Sequence, residues 1–236
     1  MKKIVTVMML TSVSLMTARA SEPDVTLDFG AELVSSYIWR GQELGGFSLQ
    51  PSATLTWNKP GLSLGVWASA ELFETAAAIN MTEFDFSLTW SPVEALSVGL
   101  TDYYLSGNSY FGGWRWNSTA SHNLEVNVGY DFGPLAVSWN TCLTGPDHTY
   151  SDGKIERNYS TYVELSAPYK ISSVEGNVAV GACLWEDCFT AVGNQEFNVC
   201  NISLTATKQL FGLPFKGQVI FNPQSDNAYF VIGVAF

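Results

Sequence analysis

The strongest constraint on this chain lies in its last ten residues, Asn227–Phe236, which read N-A-Y-F-V-I-G-V-A-F and carry no charged side chain. Ala228, Phe230, Ile232, Val234 and Phe236 fall on one side, and Asn227, Tyr229, Val231, Gly233 and Ala235 on the other. A period of two is the signature of a β-strand, whose successive side chains point to opposite faces. At the edge of a soluble sheet a strand this apolar would template aggregation, and natural edges are blunted by charge or proline. Paired on both sides, with one face against lipid, it is stable. The rest of the chain must then supply a closed barrel.

The same alternation recurs along the chain. It predicts further strands at Val25–Gly41, Ser48–Trp57, Leu62–Leu72, Thr82–Trp90, Leu96–Leu105, Asn123–Phe132, Leu135–Cys142, Asn158–Tyr169, Asn177–Trp185, Phe197–Leu210 and Phe215–Asn222. Three positions disturb the pattern. Pro51 cannot donate to a neighbouring strand and predicts a local bulge. Asp102 breaks the phase set by Leu96, Val98 and Leu100, and Phe197 and Val199 are out of phase with Ile202, Leu204 and Ala206. Short turns follow the even-numbered strands, as at Asn58–Gly61, while the longer, more polar connections, including Ser106–Ser121 and Leu143–Arg157, generally follow the odd-numbered ones. Outer-membrane barrels show this asymmetry, with strands of roughly 9–11 residues. Aromatic residues gather at both ends: Trp57, Trp90, Tyr130, Phe132, Tyr169 and Phe236 at one, Tyr37, Trp39, Tyr104, Trp139 and Phe221 at the other. Two belts suit the two interfaces of a bilayer. A soluble β-sandwich would explain the alternation but neither the loop asymmetry nor the belts. The expected fold is all-β: a transmembrane antiparallel up-and-down barrel of about 12 strands.

Composition supports this class. Charged residues make up 14% of the chain and aromatics another 14%, against about 25% charged in ordinary soluble domains. Residues 1–20 read as a cleaved signal peptide, with Lys2 and Lys3, an apolar Ile4–Met16 and the small-x-small Ala18-Arg19-Ala20. Residues 21–236 then form one domain, placed in the outer membrane of a Gram-negative-type bacterium. Losing Lys2, Lys3 and Arg19 makes the mature chain three charges more negative than the −11 of the full sequence, which argues against nucleic acid as a partner. Cys142, Cys183, Cys188 and Cys200 sit in an exported chain, where disulfides that tie the outer loops are expected, with connectivity open. No metal site or cofactor is expected from the spacing of cysteines and histidines.

The stretch Ser35-Ser36-Tyr37-Ile38-Trp39-Arg40-Gly41 resembles the TorF-type porin family of outer-membrane barrel proteins. Their first strand typically ends in a similar Tyr-x-aromatic-Arg-Gly pattern, followed by a polar turn and a second alternating strand. The resemblance implies an outer-membrane, channel-like protein and supplies no substrate. The aromatic carboxyl terminus likewise resembles the signal by which barrel-assembly machinery recognises its clients.

With apolar faces toward lipid, the opposite faces line the interior. Their ionisable members are Asp28, Glu32, Arg40, Glu71, Glu83, Asp85, Glu125 and Glu164, with Trp67, Tyr162 and Trp185 also pointing inward. Rings of charge in a lumen set ion preference, so a narrow porin-like channel for small polar or cationic solutes is the leading expectation. Carboxylates paired across the lumen with Arg40 would instead fix barrel shape. A structural or adhesive barrel would bind through its loops, above all Tyr110, Phe111, Trp114, Arg115 and Trp116. An outer-membrane lipid hydrolase would need a nucleophile, a base and an orienting group in mutual reach. Ser121-His122-Asn123 holds the residue types, but neighbours on a strand point apart, and the chain reads as no enzyme.

Overall fold

The computed structural model describes residues 24–72, 82–106, 122–152, 154–185 and 197–236. Every regular element among them is a β-strand: β1 (Val25–Val34), β2 (Tyr37–Trp39), β3 (Gln42–Gly45), β4 (Ser48–Trp57), β5 (Leu62–Glu71), β6 (Thr82–Val93), β7 (Leu96–Ser106), β8 (His122–Asp131), β9 (Ala136–Cys142), β10 (His148–Ser151), β11 (Lys154–Arg157), β12 (Thr161–Ile171), β13 (Val174–Cys183), β14 (Asn198–Leu210), β15 (Leu213–Asn222) and β16 (Asn227–Ala235). Twelve of them close into one antiparallel barrel, in the order β1-β16-β15-β14-β13-β12-β9-β8-β7-β6-β5-β4. β2–β3 and β10–β11 are separate two-stranded hairpins.

The wall is inverted relative to a soluble protein. Phe29 is 77% exposed, Phe230 65% and Ile232 53%, with Leu88, Trp90, Val128, Leu165, Leu204 and Val219 also exposed on the outward face. The fully buried side chains are mainly polar: Glu125, Asn140, Asn222, Thr161 and Ser48. A continuous apolar exterior of this kind is stable against hydrocarbon, and full closure satisfies the backbone groups that hydrocarbon cannot. Tight turns join strands at one end. Phe211 (φ 55°) and Gly212 (φ 83°) connect the paired Leu210 and Leu213, the left-handed pair that a two-residue hairpin requires.

Several expectations are corrected by the pairing. The first barrel strand does not run to Gly41: it ends at Val34, and Tyr37–Gly45 turns into the barrel as the β2–β3 hairpin. Tyr37 and Trp39 therefore leave the aromatic belt for the interior, where Trp39 meets the ring of Tyr103 at 5.6 Å. Pro51 makes no bulge. Leu49–Ala70 and Ser52–Trp67 keep one register around an unpaired step, while Pro51 itself pairs with Ala31 on the other side. The register shifts instead in β14, opposite Gly181/Ala182, with Cys200 as the extra residue, and again in β6 between Trp90 and Val93. Cys200 absorbs the phase slip between Val199 and Ile202. Trp185 does not point inward either: β13 ends at Cys183, and the Trp185 ring packs 6.2 Å from the exposed Trp139. The connection 143–157 contains the β10–β11 hairpin rather than a plain loop. The expected signal peptide, the aromatic-rich stretch 107–121 and Cys188 lie outside the described residues.

The barrel closes on a short seam. β1 and β16 pair only through Glu32–Ala235, Leu33–Val234 and Val34–Gly233. Reciprocal bonds between Ala31 and Phe236, both 3.0 Å, and one from Ser35 N to Ile232 O at 2.8 Å flank them. The next wall, β1 with β4, runs the full length of both strands.

Candidate functional site

The β2–β3 hairpin occupies the lumen at the end where the long connections lie. Its turn is Arg40-Gly41, with φ of 49° and 79° between the paired Trp39 and Gln42, a type I′ geometry whose twist matches that of the strands. Gly41 is required twice over. Its φ is left-handed, and a Cβ there would lie 1.9 Å from the backbone oxygen of Cys200. Asn222 Nδ2 donates to the Gly41 carbonyl at 3.0 Å, tying the turn to β15.

Three walls hold the hairpin. Ile38 packs on Val34, Ile220 and Val231, an apolar patch on the inward face. The Tyr37 ring lies 5.4 Å from Trp67 of β5. Arg40 reaches β8, where Nη1 and Nη2 each donate to Glu125 at 2.8 Å, one to either carboxylate oxygen. Glu125 also accepts from Tyr103 Oη at 3.0 Å and Asn127 Nδ2 at 2.7 Å. Asn127 extends the network to Asn140 and accepts from Thr101. The guanidinium sits 4.3 Å from the Trp39 ring centre and 4.5 Å from that of Tyr162, a cation–π sandwich. Burial alone would lower the pKa of Arg40, but the Glu125 charge outweighs it and the net direction is upward. The cation is permanent. Tyr37 is pushed upward too, by burial and then by the charges of Glu83 and Asp85, so its phenol stays protonated.

The eight sequence-predicted residues are distributed unevenly. Arg40 and Glu125 meet directly. Glu83 and Asp85 stand together on β6, 3% and 9% exposed, with Tyr37 hydrogen-bonded to Glu83. Glu164 accepts from Tyr162 Oη at 2.5 Å and Asn201 Nδ2 at 3.1 Å. Glu32 pairs with Lys216 at 2.5 Å; this lysine lies on the inward face of β15 and was missed, though its alternation with Gln218 and Ile220 signalled it. Glu71 sits beside Gly46 at the end of the hairpin, and Asp28 is exposed on the part of β1 that β16 does not reach.

Two further groupings were invisible in the sequence. Cys142, Cys183 and Cys200 form one buried cluster with Tyr162. The expected disulfides are not formed among these three described cysteines; Cys183 and Cys200 Sγ lie 3.7 Å apart. Asp102 and His122 meet at 2.9 Å, with the Tyr104 ring 4.5 Å from the imidazole. By strand alternation this trio lies on the outward side of β7 and β8, which accounts for the phase break at Asp102.

Residues 17–221 match a family model described as a bacterial protein of unknown function, Gcw_chp. No curated protein matches the sequence. Among solved structures, one from a study of the in-meso crystallization of membrane proteins aligns at 8% identity and TM-score 0.48, covering 88% of this chain and 81% of the other. Two mutants of the Rh. blastica porin align at 14% and 15% identity, each with TM-score 0.43, 92% of this chain and 74% of theirs. All three TM-scores are low, and the fold rests on the strand pairing above.

Proposed function

We propose that this chain, which belongs to the Gcw_chp family of bacterial proteins of unknown function, is an outer-membrane barrel. It forms a narrow porin-like passage for small polar or cationic solutes, and the β2–β3 hairpin closes it at the outer end. The observation that carries the reading is the latch: a buried bidentate Arg40–Glu125 pair on an inward-folded hairpin. Val34, Ile220 and Val231 point into the lumen to receive that hairpin. Apolar residues in this place are wasted in an open water-filled pore and make sense in one built with a plug. The carboxylates left beside it favour cations. Residues 1–20 act as the cleaved export signal, and the resemblance of Ser35–Gly41 to the TorF-type porins fits the same reading.

Planar-bilayer recording tests it. Wild type should show low or infrequent conductance, and Arg40→Ala should raise it severalfold by releasing the hairpin. Silence from both would overturn the passage and leave a structural barrel.

A second reading has one observation behind it. A His oriented by an Asp, both buried on the outward side of the wall, has the arrangement of the base half of a hydrolytic triad. Phospholipid turnover that is lost in His122→Ala would support it; no turnover by wild type would dismiss it.

A further inference from the structure

Glu83 and Asp85 are incompletely satisfied acids inside the barrel. They sit two residues apart on the inward face of β6, nine-tenths or more buried, and Glu83 Oε2 and Asp85 Oδ1 receive no hydrogen bond. Tyr37 donates to Glu83, and Glu83 and Asp85 are hydrogen-bonded to each other, but the two remaining oxygens stay bare, and desolvation of a buried carboxylate costs several kcal/mol per ion. Among the described residues, the basic groups inside the wall are committed elsewhere, Arg40 to Glu125 and Lys216 to Glu32. A buried acid pair with two bare oxygens and no basic partner among the described residues calls for a cation that arrives from outside.

Its chemistry follows from the surroundings. Asp85 is flanked across the sheet by Trp67 on one side and Tyr103 on the other. Tyr37 leans over Trp67 with ring centres 5.4 Å apart. A hard divalent ion takes six or more oxygens, and no group of three or more acidic, histidine or cysteine ligands is arranged for a metal among the described residues. Carboxylates beside aromatic faces suit a planar, weakly hydrated cation with several N–H donors. The same lumen already holds one such group, since the Arg40 guanidinium is gripped by Glu125, Trp39 and Tyr162.

We propose that Glu83 and Asp85, walled by Tyr37 and Trp67, form a binding site in the lumen for small guanidinium-bearing cations. This rests on the passage reading above, for which it names the preferred solute class. The site is a second copy, in chemical terms, of the one the protein fills with its own arginine.

Calorimetric titration of methylguanidinium into the full-length barrel, refolded in detergent, tests the site without requiring conduction. Wild type should bind, and Glu83→Gln/Asp85→Asn should bind at least about tenfold more weakly, a change of about 1.4 kcal/mol. Glu175→Gln, which alters an exposed carboxylate near a turn, outside the lumen, should bind as wild type does. If the double variant fails to refold, Trp67→Leu should weaken methylguanidinium severalfold while leaving both acids in place. No binding by wild type, undiminished binding by the double variant or by Trp67→Leu, or equal competition by potassium would each overturn the assignment. Conductance is measured separately in the same preparations. Binding without current would keep the site and remove the passage, and current without binding would do the reverse.

Discussion

At the scale of single residues, the decisive pair is Arg40 and Gly41. Removing one partner of a buried ion pair leaves the other uncompensated, at a cost of about 3–5 kcal/mol. Arg40→Ala and Glu125→Gln should therefore each lower resistance to chemical unfolding, and their double variant should lose less than the two losses combined. Gly41→Ala should displace the hairpin with both charges intact, since the added methyl would overlap the Cys200 carbonyl; increased conductance is the expected outcome, and an unchanged trace would refute the tight seating of the turn. Cys183 and Cys200 make a third case. Their sulfurs are 3.7 Å apart, and a bond of about 2.05 Å needs only a small approach. Peptide mapping of oxidised protein without reductant should find them joined. Alternation alone placed most of the inward carboxylates, because parity is local information. It could not show that Arg40 meets Glu125, 85 positions away, nor that Asp102 finds His122 across a strand pair.

At the scale of elements, the boundaries of the wall were legible wherever a turn had its own chemistry, as at Asn58–Gly61 and Phe211–Gly212. The reading failed at β2. Tyr37 and Trp39 continue the parity of Leu27, Phe29 and Leu33, so nothing in the period marks the point where the chain leaves the wall. The signal was present in another form: Arg40-Gly41 is a dipeptide suited to two successive left-handed residues, and the strand assignment ran across it. The phase slip before Ile202 was seen but not its cause, since a bulge and a frayed strand end look alike in one sequence. The outward faces carry a direct test. Arginine at the bilayer midplane of a barrel costs about 2–4 kcal/mol, and far less near the interfaces. Phe230→Arg should destabilise the barrel in lipid vesicles, whereas Phe211→Arg, at an exposed turn, should leave stability unchanged.

For the whole molecule, the wall is continuous in every direction except along its seam, where three register pairs do the closing. The prediction here concerns Phe236, whose backbone exchanges two hydrogen bonds with Ala31. Deleting it should increase the fraction that migrates as unfolded chain on unheated gels, and normal heat-modifiable migration would argue against a closing role. The seam also couples closure to the plug. β1 runs from its seam pairs, Glu32–Val34, directly into the latched hairpin. Whatever loosens β16 from β1 therefore loosens the tether of the plug as well.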